Sequence, residues 1–139
     1  MSDFVLDASV ALAWVLDNPA PVYALGVRQE MLGGKRGVVP ALWHLEIANG
    51  LAMAARRGDL TGADVEDALD QILTIAANKL DTAADLVSAR DALANARRFQ
   101  LTAYDAAYLD LARSEELPLA TLDKGLRAAA TKAGVAVLK

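Results

Sequence analysis

The chain has no cysteine among its 139 residues. That excludes a disulfide framework, a thiolate metal site and a cysteine nucleophile, and it suits a protein of the reducing cytoplasm. A single histidine is too few for a zinc site built on several imidazoles. No apolar run reaches the ~18 residues of a spanning helix; the run from Phe4 is interrupted by Asp7 and Ser9. Met1-Ser2-Asp3 places an acid where a signal peptide carries basic residues, so no membrane association is expected. A basic excess is lacking too: 14 Lys and Arg stand against 18 Asp and Glu, a net charge of −4. This rules out a basic surface over the whole chain, though not a local basic patch. No G-x-S-x-G elbow is present, and Gly33-Gly34-Lys35 has the wrong spacing for a phosphate-binding Walker loop.

Apolar residues make up 55% of the chain and charged residues 23%, enough to build one globular domain spanning 1–139. Short β-type runs alternate with longer helical patterns. Five strands are predicted: Phe4–Leu6, Val38-Val39, Lys79–Asp81, Leu119–Leu122 and Val135–Leu138. Helices are predicted over Val10–Leu16 with Ser9 as N-cap, from Asn18-Pro19 to Leu32, and over Leu42–Arg57. Thr61 and Asp64 form a capping box for a helix whose stripe is Val65, Leu69, Ile72 and Ala76. A further helix is predicted over Ala83–Phe99, with Leu86, Ala89, Leu93 and Ala96 inward. Two more run from Thr102 to Glu116 and from Asp123 to Gly134. The strands are almost continuously apolar, as strands covered on both faces are. The expected class is therefore α/β, a parallel sheet between two helical layers, with its active edge at the carboxyl ends of the strands.

Four carboxylates can meet at that edge. Asp7 ends the first strand, Asp123 follows the fourth, Glu46 lies in the opening turns of one helix and Asp105 in the first turn of another. Asp105 could serve only as the capping partner of Thr102, Asp123 only as an N-cap, and Glu46 only as a solvated helix acid. Asp7 resists such a reading, because an unpaired carboxylate directly after a buried strand is expensive. Ionised together, the four need a cation, and hard oxygen ligands select Mg²⁺ or Mn²⁺.

These residues also carry a resemblance. Phe4-Val5-Leu6-Asp7-Ala8-Ser9, Glu46-Ile47-Ala48-Asn49-Gly50-Leu51, Leu101-Thr102-Ala103-Tyr104-Asp105-Ala106-Ala107-Tyr108-Leu109 and Leu119-Ala120-Thr121-Leu122-Asp123 stand in the order and spacing of the PIN-domain ribonucleases. The chain resembles in particular the VapC-type toxins of toxin–antitoxin pairs, over essentially its whole length. The resemblance implies a PIN-like three-layer fold with sheet order 3-2-1-4-5. It implies that Asp7, Glu46, Asp105 and Asp123 form a catalytic Mg²⁺ site, with Mn²⁺ as a substitute, and that Mg²⁺-activated water cleaves RNA. It suggests supporting hydroxyls at Ser9 and Thr121, and it implies a VapB-type antitoxin and a homodimer as partners. Two rival functions remain beside it: a PIN-like binding module without chemistry, and a Mg²⁺-dependent phosphatase. The phosphatase normally has a second acid two residues after its nucleophile, where this chain has Ser9.

Around the acids, Asn49 shares a helix face with Glu46 and is a candidate to orient it. Lys124 and Arg127, opening the helix beside Asp123, are the best-placed phosphate contacts. His44, two residues from Glu46, points away from it and is expected at the surface or an interface. Trp14 and Trp43 are expected as core or interface anchors. The helix from Leu42 is apolar around most of its circumference, which suggests a partner surface as well as a core face.

Overall fold

The computed structural model describes residues 3–84 and 87–139. Its elements run β1 (Phe4–Leu6), α1 (Ala8–Leu16), α2 (Val22–Leu32), β2 (Gly37–Val39), α3 (Leu42–Arg56), α4 (Gly62–Ala76), β3 (Leu80–Thr82), α5 (Ala89–Phe99), α6 (Ala103–Glu115), β4 (Leu119–Ala120) and α7 (Lys124–Lys132). The strands form one parallel sheet of order β3-β2-β1-β4. The chain moves one way through β1, β2 and β3, then returns to add β4 on the far side of β1. Right-handed crossovers therefore place α1 to α4 on one face and α5 to α7 on the other. Phe4, Val5 and Leu6 are fully buried at the centre, which is why the first strand reads as a continuous apolar run.

Four strands are described where five were expected. Val137 forms only an isolated parallel bridge with Leu119, flanked by Leu119 N–H to Ala136 O (2.8 Å) and Leu138 N–H to Leu119 O (2.9 Å). β4 is two residues long, so it offers almost no edge on which a fifth strand could build a ladder.

Three helix starts differ from expectation. Residue 7, not Ser9, occupies the N-cap of α1, because the Ser9 hydroxyl is used elsewhere. α2 begins at Val22 with Pro21 at its N-cap, not at Asn18-Pro19. α5 begins at Ala89, where the Ser88 hydroxyl accepts the Asp91 N–H (3.1 Å). Before it, Ala83 N–H still extends the sheet to Val39 O (2.8 Å), so this backbone is not free to be helical. Ala89 and Leu93 face solvent, Ala96 is half-buried, and Ala92, Asn95 and Phe99 complete the inner stripe. Leu86 lies outside the described residues.

α1 and α3 cross closely at Gly50, where a Cβ would stand 2.6 and 2.8 Å from the Leu12 methyl groups. Gly50→Val should therefore destabilise the protein by about 1–3 kcal/mol in urea unfolding. Gly26, exposed within α2 with open space around it, gives the opposite sign. Gly26→Ala should stabilise by about 0.5–1 kcal/mol through the gain in helix propensity.

Candidate active site

β1 pairs with β2 on one side and β4 on the other, so the point where the strand order reverses lies between β1 and β4. Asp7 is the first residue past β1 and is buried. Its backbone is extended and its N–H is bonded to Ala120 O (3.0 Å), but its side chain makes no cap to α1. Instead Oδ2 accepts two hydroxyls, Ser9 Oγ and Thr121 Oγ1, each at 2.7 Å. Those hydroxyls are themselves oriented by backbone donors, Leu122 N–H to Ser9 Oγ (3.2 Å) and Asp123 N–H to Thr121 Oγ1 (3.0 Å). With each oxygen accepting from an amide, its proton is directed at Asp7. Among the described residues no side chain donates to Oδ1.

Glu46 stands half-buried on α3, and its Oε1 accepts the hydroxyl of the buried Tyr108 at 2.6 Å. Asp105 is in the first turn of α6. Thr102 Oγ1 accepts the Asp105 N–H (3.1 Å), but the return bond of a capping box is absent. The contrast is Thr61 and Asp64, where both bonds form. The Asp105 carboxylate therefore makes no bond to the Thr102 N–H, although the Thr102 hydroxyl still lowers its pKa somewhat. Asp123 does cap α7, accepting Leu126 N–H at 3.2 Å, and it is exposed.

Three of the acids sense the charges around them. Burial raises the pKa of Asp7, which the hydroxyls of Thr121 and Ser9 partly offset and the charge on Asp123 increases. Burial likewise raises Glu46, with further contributions from Asp7 and Asp105. Asp105 is raised by burial and by the charges on Asp7 and Asp123. None of the four enters an ion pair among the described residues, so no protein cation offsets this repulsion. Among the described residues, no three His, Cys, Asp or Glu side chains stand grouped closely enough to hold a metal ion by themselves. The donors are all hard oxygens, and their like charges lack a counter-ion. This set fits a divalent cation of the Mg²⁺ class and not a soft metal.

The remaining sequence candidates separate. Asn49 is exposed and makes no bond to Glu46; Tyr108 holds that carboxylate instead. Tyr108 lies three residues after Asp105, on the same face of α6, and that spacing is the signal that could have found it. Arg127 turns inward, donating to Thr121 O (2.8 Å) and lying 4.3 Å over the Tyr23 ring, whereas Lys124 is exposed. His44 meets Thr82 Oγ1 at 2.9 Å, away from the acids. A cavity of about 360 Å³ beneath α5, lined by Leu42, Ala92, Ala107 and Leu111 among others, includes none of the four carboxylates.

Tyr108→Phe removes the bond that favours ionised Glu46, so the Glu46 pKa should rise further. The acidic limb of any activity that needs this carboxylate should then move to higher pH, with a loss of about tenfold near the wild-type limb. A pH–rate profile of the two proteins checks this.

The PIN-domain family model matches residues 4–132, and the chain belongs to the PIN-domain family. It is 33% identical, over 119 residues, to VapC ribonuclease Mb0985 of Mycobacterium bovis and to ribonuclease VapC9 of Mycobacterium tuberculosis. Each match covers 86% of this chain and 84% of the relative. Among solved structures it resembles PAE2754 from Pyrobaculum aerophilum, with a TM-score of 0.69 and 25% identity over 92% of this chain and 86% of that one. FitAcB from Neisseria gonorrhoeae shares the fold at a TM-score of 0.66 and 20% identity, covering 98% and 96%.

Proposed function

We propose that the chain is a single PIN domain acting as a Mg²⁺-dependent endoribonuclease of the VapC type, with Mn²⁺ able to substitute. What carries the proposal is the buried Asp7 carboxylate. Two hydroxyls hold it at the point where strand order reverses, with Glu46, Asp105 and Asp123 close enough to act on its charge or on each other's. The relatives named as VapC ribonucleases support the same chemistry. Asp7, Glu46, Asp105 and Asp123 would hold the ion, which when bound supplies charge stabilisation to the phosphodiester and a water of lowered pKa.

The protein's own groups have separable tasks. Ser9 and Thr121 fix the Asp7 plane by saturating Oδ2. Tyr108 fixes Glu46. Asp105 supplies charge from α6, and Asp123 does so from the N-terminus of α7. Lys124 offers an exposed cation to the RNA backbone, while Arg127 braces the turn that carries Thr121 and Asp123. None of the four carboxylates forms an ion pair among the described residues, so RNA approach depends on added positive charge.

We further propose two protein partners, a VapB-type antitoxin and a second copy of the chain, and a cytoplasmic setting. Among the described residues no helix is long and apolar enough to cross a membrane. α3 and α4 border a groove of about 260 Å³, lined by Trp43, Ile47, Leu51, Val65, Leu69 and Leu73. Leu45, Met53 and Leu73 on these helices are exposed, which supports this side as the association surface.

Incubation with a panel of end-labelled RNAs, in Mg²⁺, Mn²⁺ or EDTA, tests the activity. Internal cleavage that EDTA stops is the expected result. Hydrolysis of p-nitrophenyl phosphate without RNA cleavage would assign the phosphatase instead, and RNA binding without turnover would assign the binding module.

A further inference from the structure

The chain has seven aromatic residues, and six of them have work inside the protein. Phe4, Trp14, Trp43 and Tyr108 are buried. Tyr23 lies under the Arg127 guanidinium and donates its hydroxyl to Leu138 O (2.8 Å). Phe99 lies beside the guanidinium groups of Arg98 and Arg113, at 5.2 and 5.4 Å. Tyr104 differs from all of these. It is 66% exposed, and among the described residues its ring has no aromatic or cationic neighbour and its hydroxyl no hydrogen bond. Its ring is therefore available to something outside the chain.

Its position says what that is. Tyr104 and Tyr108 are four residues apart on α6, so they share one stripe of the helix. The hydroxyl of Tyr108 reaches Glu46, which fixes that stripe as the one facing the acids. Helical side chains lean toward the helix N-terminus, and the N-terminus of α6 lies at the carboxyl edge of the sheet. Tyr104 therefore stands one turn nearer the N-terminus of α6 than Tyr108, on the stripe that reaches Glu46 and directly beside Asp105 in sequence.

We infer that Tyr104 is the platform on which a nucleobase of the RNA stacks next to the phosphate being cleaved; the inference rests on the ribonuclease proposal above. An acidic cleft attracts RNA poorly through charge. A ring beside Asp105 supplies an attraction that does not depend on charge, because every base has a π-face. Stacking reads no base edge, so Tyr104 would favour an unstacked base without selecting its identity. That calls for a single strand or an open loop, since bases inside a duplex are already stacked on one another.

The test uses binding, in an Asp7→Asn background that leaves the RNA intact. The probe is a short fluorescein-labelled single-stranded RNA, read by anisotropy. Tyr104→Ala should weaken binding by about 5- to 100-fold, whereas Tyr104→Phe and Tyr104→Trp should stay within about twofold, since the ring and not the hydroxyl is at work. The loss should persist at high salt, while Lys124→Ala should lower the salt dependence itself. Thermal melts of the Tyr104 variants should stay close to their parent, because the side chain is mostly exposed. Unchanged affinity in Tyr104→Ala, or an equal loss in Tyr104→Phe, overturns the stacking role while leaving RNA cleavage by the wild type untouched. Absence of both RNA binding and cleavage in the wild type overturns the ribonuclease proposal and this inference with it.

Discussion

Asp7→Asn should lower RNA cleavage by about 10³-fold or more and, in the absence of metal, should make the protein harder to unfold. The first effect follows from removing the central charge of the cleft. The second follows from what that charge does to the fold. Asp7, Glu46 and Asp105 all have pKa values raised above their ordinary 3.8, 4.5 and 3.8. Between those ordinary values and the raised ones, the folded protein binds more protons than the unfolded chain, so stability falls as pH rises through this window. The metal-free wild type should accordingly melt at a lower temperature at neutral pH than when mildly acidified. Asn keeps an oxygen to accept Ser9 and Thr121 but carries no charge, so the gain should be on the order of 1 kcal/mol, or about 4 °C in melting temperature at neutral pH. Mg²⁺ should raise the wild-type melting temperature and leave the variant unmoved. Calorimetric scans of both proteins across pH, with and without Mg²⁺, provide the check. A variant that melts lower than wild type in EDTA would contradict the account of a buried, uncompensated charge.

The second large effect separates core from surface on α3. Trp43 is 1% exposed and Leu45 is 75% exposed, although both read as apolar residues of one helix. Trp43→Glu places an unpaired charge in a packed interior, a cost on the order of 5 kcal/mol and comparable with the whole stability of a domain. It should yield an unfolded or insoluble product, visible by circular dichroism. Leu45→Glu should change stability by no more than about 0.5 kcal/mol. If α3 and α4 form the association surface, it should instead shift the protein toward monomer in light scattering. An unaltered oligomer in Leu45→Glu would move the interface to another side of the molecule.

The α3 example also marks how far a sequence reaches. An apolar circumference shows that a helix has more than one buried side, but it cannot say which residues meet the chain's own core. That partition depends on where α1 and α4 lie, and Gly50 against Leu12 is the contact that sets it on the α1 side. α5 shows the same limit from the other direction. Its apolar stripe was displaced because the helix starts at the Ser88 cap, six residues later than the pattern suggested. A local periodicity cannot register that the preceding backbone is still bonded to β2.

The sequence by itself determined the alternation of strands and helices and the parallel sheet; the central place of β1 was only what the resemblance implied, and the four acids at the carboxyl edge were an expectation. The alternation and the sheet follow from short-range causes: buried strands are uniformly apolar, and helices on either side of a strand begin or end at fixed edges of the sheet. Only the tertiary structure decided what each acid does with its oxygens. Thr102 and Thr61 open helices with the same spacing to an aspartate, yet Asp64 closes its capping box while Asp105 does not. Only the fold brings Thr121 to Asp7 across 114 positions of chain, and Tyr108 to Glu46 across 62. Hydrogen bonds between side chains distant in sequence leave no periodic trace. They depend on which elements the sheet order makes neighbours, and that is decided when the whole chain packs.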